Sequence, residues 1–119
     1  EQTRAFSRRY FERMKKMPSM MQAAVYSAVL HYLKAIQAAG TDDAQTVMAK
    51  MKATEVNDAV VRKGRIRDDG RLVHDMLLVQ VKTPAESTKA WDVYKIKQVI
   101  PSEQAFQALA LSRCHLIKK

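Results

Sequence analysis

Cysteine, proline, glycine and tryptophan are all scarce in this chain, and each scarcity excludes something. Cys114 is the only cysteine, so the chain closes no internal disulfide and builds no multi-cysteine zinc site. Three glycines and three prolines are too few for the turn-dense connections of a β-sandwich. Long apolar runs are missing too. The longest, residues 20–39, is interrupted by Gln22, His31, Lys34 and Gln37, which argues against a transmembrane span. Glu1-Gln2-Thr3-Arg4 has neither the basic nor the apolar region of a signal peptide. The chain opens directly into a helix-like pattern without a cap, which reads as a start inside an element of a longer protein.

Catalytic signatures are equally thin. No phosphate-cradling glycine loop, dinucleotide-binding turn or nucleophile elbow is present,. His31, His74 and His115 each lack a second ligand at metal-binding spacing. The two acid pairs, Asp42-Asp43 and Asp68-Asp69, have local explanations as a helix start and a turn. Basic neighbours Arg113 and His115 favour a Cys114 thiolate, but no orienting acid lies near. Neither an enzyme nor a cofactor is expected from these residues.

What is present is an ordinary one-domain composition: 119 residues, 47% hydrophobic and 28% charged,. The net charge of +9 raises nucleic acid as a partner. The charge is spread, however: residues 1–40 carry +5, 41–59 carry −2, 60–83 carry +3 and 84–119 carry +3. The densest basic run, Arg62-Lys63-Gly64-Arg65-Ile66-Arg67, has no interleaved aromatics for base stacking. A small basic nucleic-acid-binding domain is therefore the alternative reading rather than the first.

Periodicity predicts a basic amphipathic helix over 3–16, with Ala5, Phe6, Tyr10, Phe11 and Met14 on one face,, ended by Pro18. A second helix is predicted over 20–39, capped by Ser19 and closed by Gly40,. Its apolar face holds Met21, Val25, Ala28, Val29, Tyr32, Leu33 and Ile36, and a helix this apolar is expected to be covered on more than one side. It is also a possible dimer surface. Thr41-Asp42-Asp43 restarts a helix that ends near Ala53,. Residues 54–71 read as irregular, with a turn at Asp68-Asp69-Gly70. Leu72–Lys82 and Trp91–Ile100 read as two strands of an antiparallel hairpin,. A last short helix or turn opens at Pro101-Ser102-Glu103.

One ordered set of residues carries a resemblance: Phe6-x-x-Arg9-Tyr10, Pro18, Tyr26-Ser27-Ala28-Val29, residues 35–42 (AIQAAGTD), and Gly64-Arg65-Ile66-Arg67-Asp68-Asp69-Gly70-Arg71. This order resembles the C-terminal third of ABC-transporter substrate-binding proteins of the branched-chain amino acid type, which are type I periplasmic binding proteins. Arg67 and Asp68 stand where that family usually has Phe and Asp. The resemblance implies an α/β fold: the C-terminal segment of a type I periplasmic-binding-protein fold, three to four helices plus a two-stranded antiparallel hairpin, with residues 1–119 as a single segment of one lobe. It implies periplasmic solute binding by lobe closure, for an amino acid or related organic acid, in partnership with a transporter permease and without nucleic acid. It further implies that Met20, Met21, Gln22 and Tyr26, at the start of the second helix, help line the ligand cleft. Aliphatic amino acids, amides and aromatic acids all remain open as solutes. An oxidising periplasm would also permit a bridge from Cys114 to a cysteine outside this segment.

Overall fold

The computed structural model describes residues 2–115 and 117. Three helices come first. α1 (Gln2–Met14) ends earlier than the proline predicted. Lys15 takes a left-handed φ of 54°, and its N–H closes the last turn on the Phe11 carbonyl at 2.8 Å. The stop is a left-handed residue just past the helix, three positions before Pro18. α2 (Met20–Ala39) runs between its predicted caps. Gly40 sits at φ 68° and donates to the Ile36 carbonyl at 2.9 Å, a conformation that glycine adopts without a Cβ penalty. α3 (Ala44–Ala53) is capped by Asp43, whose carboxylate accepts from the Thr46 N–H at 2.9 Å.

Residues 54–71 are more ordered than their sequence suggests. Val56 and Gly64 bridge through two backbone hydrogen bonds of 2.7 and 2.9 Å. β1 (Arg65–Ile66) then pairs antiparallel with β2 (Leu72–Val73) around a turn in which Gly70 at φ 78° donates to Arg67. Gly64 has a packing reason as well: a Cβ there would stand 2.5 Å from Val61 Cγ1.

The long strand read over 72–82 is two strands in two sheets. Leu72–Val73 belongs with β1; β3 (Met76–Val81) pairs with β4 (Tyr94–Ile100). The break falls at His74-Asp75. The His74 ring lies edge-on to Phe106, and Asp75 Oδ1 accepts from the Ser102 N–H at 3.0 Å. A register shift between Leu78 and Val79 sets one extra residue, Lys97, into β4,. Trp91 and Val93 fall outside the strand, in the connection. α4 (Ser102–Ala105) and a 3-10 turn, Leu109–Leu111, follow.

The core is thin. Among the described residues its buried apolar side chains are Phe6 of α1, Ala35 of α2, Val47 of α3, and Val56, Val61 and Val73 of the segment that follows. The radius of gyration is 17.1 Å, against about 13.5 Å for a compact domain of this length. The accessible surface is 9450 Å², roughly 2900 Å² more than a compact monomer of this mass exposes.

Candidate functional site

The face of α2 that this chain buries is its small, polar one. Ser27, His31 and Ala35 are buried, whereas the apolar stripe of Met21, Val25, Val29, Tyr32 and Leu33 is 44–67% exposed. The cover expected for that stripe is not supplied by the described residues. The buried polar groups are satisfied instead. Ser27 Oγ donates to Asp58 Oδ2 at 2.6 Å, and Asp58 Oδ1 accepts from the Val60 and Val61 amides at 2.7 and 2.9 Å. Burial alone would raise the Asp58 pKa, but these hydrogen bonds outweigh it and hold the carboxyl below its ordinary value,. His31 Nε2 lies 3.0 Å from the Met51 carbonyl. A carbonyl only accepts, so Nε2 carries the proton. These contacts fasten the 54–61 loop and the end of α3 to one side of α2.

The four residues singled out for ligand contact lie at the other end of α2. Met20 is 82% exposed, and Met21 is exposed beside it. Gln22 takes part in a capping box: its side-chain carbonyl accepts from the Ser19 N–H at 2.7 Å, while Ser19 Oγ accepts from the Met21 N–H at 3.2 Å,. Tyr26, one turn on, is half-buried with its ring 4.7 Å from that of Phe6. The structure therefore separates them. Met20, Met21 and Gln22 form an exposed rim at the helix start. Tyr26 instead lines a groove of about 440 Å³ between α1 and α2, together with Phe6, Arg9, Tyr10, Glu12 and Arg13. The α1 side of this groove was not singled out from the sequence. Its signal is there in retrospect, because Phe6, Arg9, Tyr10 and Arg13 are three or four residues apart on one helix.

A second groove went unnoticed because its halves lie eighty residues apart. Phe11 of α1 meets Trp91 of the β3–β4 connection with ring centroids 5.0 Å apart. Trp91 occupies φ 61° in a turn closed by the Asp92 N–H on the Lys89 carbonyl at 3.2 Å. A bulky side chain in that region costs about 1–2 kcal/mol. The connection is braced by Lys82 on Asp92 at 2.7 Å and Lys95 on Glu86 at 2.8 Å. Hydrogen bonds from Lys95 and from Thr83 hold the Glu86 carboxyl down at about 2.

The remaining candidates have structural partners. Asp69 receives Arg67 at 3.2 and 2.6 Å, and Arg67 also donates to the Gln107 carbonyl at 2.7 Å, which ties the C-terminal segment to the β1–β2 turn. That contact commits Arg67, the last residue of the basic run, to partners within the chain. Cys114 is a half-buried thiol. Among the described residues, no three His, Cys, Asp or Glu side chains gather as a metal site, and no helix is long and apolar enough to cross a membrane.

Comparison with known proteins agrees with the architecture. The pattern of the periplasmic binding protein family matches residues 1–89. A periplasmic binding protein of known structure from Burkholderia mallei is 51% identical, with a TM-score of 0.90 over 97% of this chain and 30% of its own. A branched-chain amino acid ABC transporter periplasmic ligand-binding protein from Burkholderia xenovorans is 46% identical, with a TM-score of 0.91 over 98% of this chain and 31% of its own. The search of curated proteins found no match. The chain thus spans under a third of the length of the solved proteins it resembles. Matched over three quarters of its length by the family pattern and over nearly all of it by two members' structures, the chain belongs to the periplasmic binding protein family.

Proposed function

We propose that this chain serves in the solute-binding component of an ABC uptake transporter, for amino acids or related small organic solutes. In this reading it forms the C-terminal portion of a two-lobed clamshell, works in the periplasm, delivers its solute to a permease and catalyses no reaction. Closure of the lobes would be the working step, with the solute favouring the closed population. Family membership and the branched-chain relative support the reading.

The observation that carries it is the surface excess. A chain that folded for itself would not leave an apolar stripe along α2 and both strands of a hairpin exposed,. Burying five side chains like those of the α2 stripe is worth on the order of 5 kcal/mol beyond their present exposure, comparable to the whole stability of a small domain. We assign that surface to the rest of the clamshell and the α2 start, with Met20, Met21, Gln22 and Tyr26, to the solute side of the lobe.

The test compares this chain with an upstream-extended one of the relatives' length. Thermal melting is followed with and without branched-chain amino acids, amides and aromatic acids. The extended protein is expected to gain stability with one class, by several degrees at a hundredfold excess over Kd, and this chain alone to gain none from branched-chain amino acids or amides. Stabilisation of the short chain by a branched-chain amino acid or an amide would overturn the fragment reading; no stabilisation of the extended chain by any of the three classes would overturn the solute reading. Concentration-dependent sedimentation separates burial of the stripe by the clamshell from burial by a second copy.

A further inference from the structure

The groove between α1 and the β3–β4 connection is built differently from the α2 rim. It holds about 470 Å³, within the range of small-molecule sites. None of Met20, Met21, Gln22 or Tyr26 lines it. Both walls belong to this chain: Arg4, Arg8, Phe11 and Met17 on one side, Lys89 and Trp91 on the other.

Two features define what fits there. The first is aromatic surface. Phe11 supports Trp91 from one side, yet 57% of Trp91 remains exposed, and its backbone is held left-handed in that position. A strained backbone that presents an aromatic ring to a groove is a reason to look for a ligand. The second is charge. Arg4 and Lys89 line the groove, and Lys82 braces its Asp92. Asp92 is already met by Lys82 at 2.7 Å, and the nearby charges of Lys89 and Arg4 favour its ionised form further. Cations from two separate elements, Arg4 of α1 and Lys89 of the β3–β4 connection, therefore converge on one spot.

We propose that this groove is an accessory site for a small aromatic carboxylate, its ring packed on Trp91 and its carboxylate facing Arg4 and Lys89. Arginine and lysine supply charge-assisted donors to a carboxylate. The indole supplies a flat apolar surface, and a cationic edge beside it disfavours amines. The proposal does not rest on the transport reading, because every residue it uses belongs to this chain.

The experiment is a titration of the 119-residue chain with benzoate. Trp91 is the only tryptophan, so its fluorescence and its indole N–H resonance report on the groove alone. Saturation with a Kd below about 2 mM is expected. Benzylamine and cyclohexanecarboxylate should each bind at least about tenfold more weakly, and Lys89→Gln and Arg4→Gln should each weaken benzoate about fivefold. Both side chains are exposed, so circular dichroism and melting of these variants should match the parent. Failure to saturate below about 2 mM, an equal response to benzylamine, or unchanged affinity in both variants would overturn the site. The double variant Met20→Ala/Gln22→Ala should bind benzoate normally; loss of binding there would move the ligand to the α2 rim and overturn the groove.

Discussion

The helical body and the β3–β4 hairpin are two solutions to different problems. In the body, the open stripe of α2 apart, the chain buries its own side chains. Val47 of α3 is buried, as are Val56, Val61 and Val73 of the segment that follows, and Asp58 locks the intervening loop to Ser27. In the hairpin the chain supplies one side only. No residue of β3 or β4 is buried, and a lone two-stranded hairpin is marginal in water. What holds it lies at its ends: Asp75 on Ser102 at the base, Trp91 on Phe11 at the tip, and the Lys82–Asp92 and Lys95–Glu86 pairs near the tip. The body is held by interior packing, the hairpin by clasps at its two ends.

The sharpest way to break that contrast is inside the body. Gly64→Ala places a methyl 2.5 Å from Val61 and 3.1 Å from Leu72, so urea denaturation should show a loss of about 2–3 kcal/mol. A loss below about 0.5 kcal/mol would mean that the 56–73 segment gives way freely and is no more fixed than the hairpin. Asp58→Ala comes next. It strips the acceptor from Ser27 and two amides at once and should cost about 2 kcal/mol, with hydrogen exchange rising over 56–61 rather than in β3 or β4.

Phe11→Ala acts on the other partner in the comparison. It should shift Trp91 emission to the red and raise exchange along the hairpin while moving the body's unfolding midpoint little, by under about 1 kcal/mol. A coincident loss in the body would show one cooperative unit. The smallest effect concerns pH. Glu86 is held at about 2 against 4.5 ordinarily, so its pairing favours the ordered connection above pH 4.5 and is lost as pH falls through about 2,. Trp91 fluorescence should report loosening of the tip across that window in the parent, and Glu86→Gln should remove the transition.

Much of the body was legible because its signals are local. Ser19 and Gly40 bracket α2, Asp43 opens α3 and Asp68-Asp69-Gly70 makes the turn, each acting within four residues. What could not be read depends on distant partners. His74-Asp75 breaks the strand because Phe106 and Ser102 lie opposite. Trp91 leaves the strand for a turn against Phe11. Periodicity found the apolar face of α2, but it could not say that this chain buries the opposite, polar face, since that choice belongs to Asp58 and Met51. Of the candidate site, adjacency in sequence kept Met20, Met21 and Gln22 together; Tyr26 faces α1 because Phe6 draws it there.

A sheet of only two strands has no interior, so both β3 and β4 are edges. β4 carries Lys95 and Lys97 along its length, charges that discourage another strand from adding on. β3 carries none: its six residues, MLLVQV, combine high strand propensity, low charge and no proline, the composition from which cross-β stacks are built. The solubility of this chain therefore depends on whatever occupies the open edge of β3,.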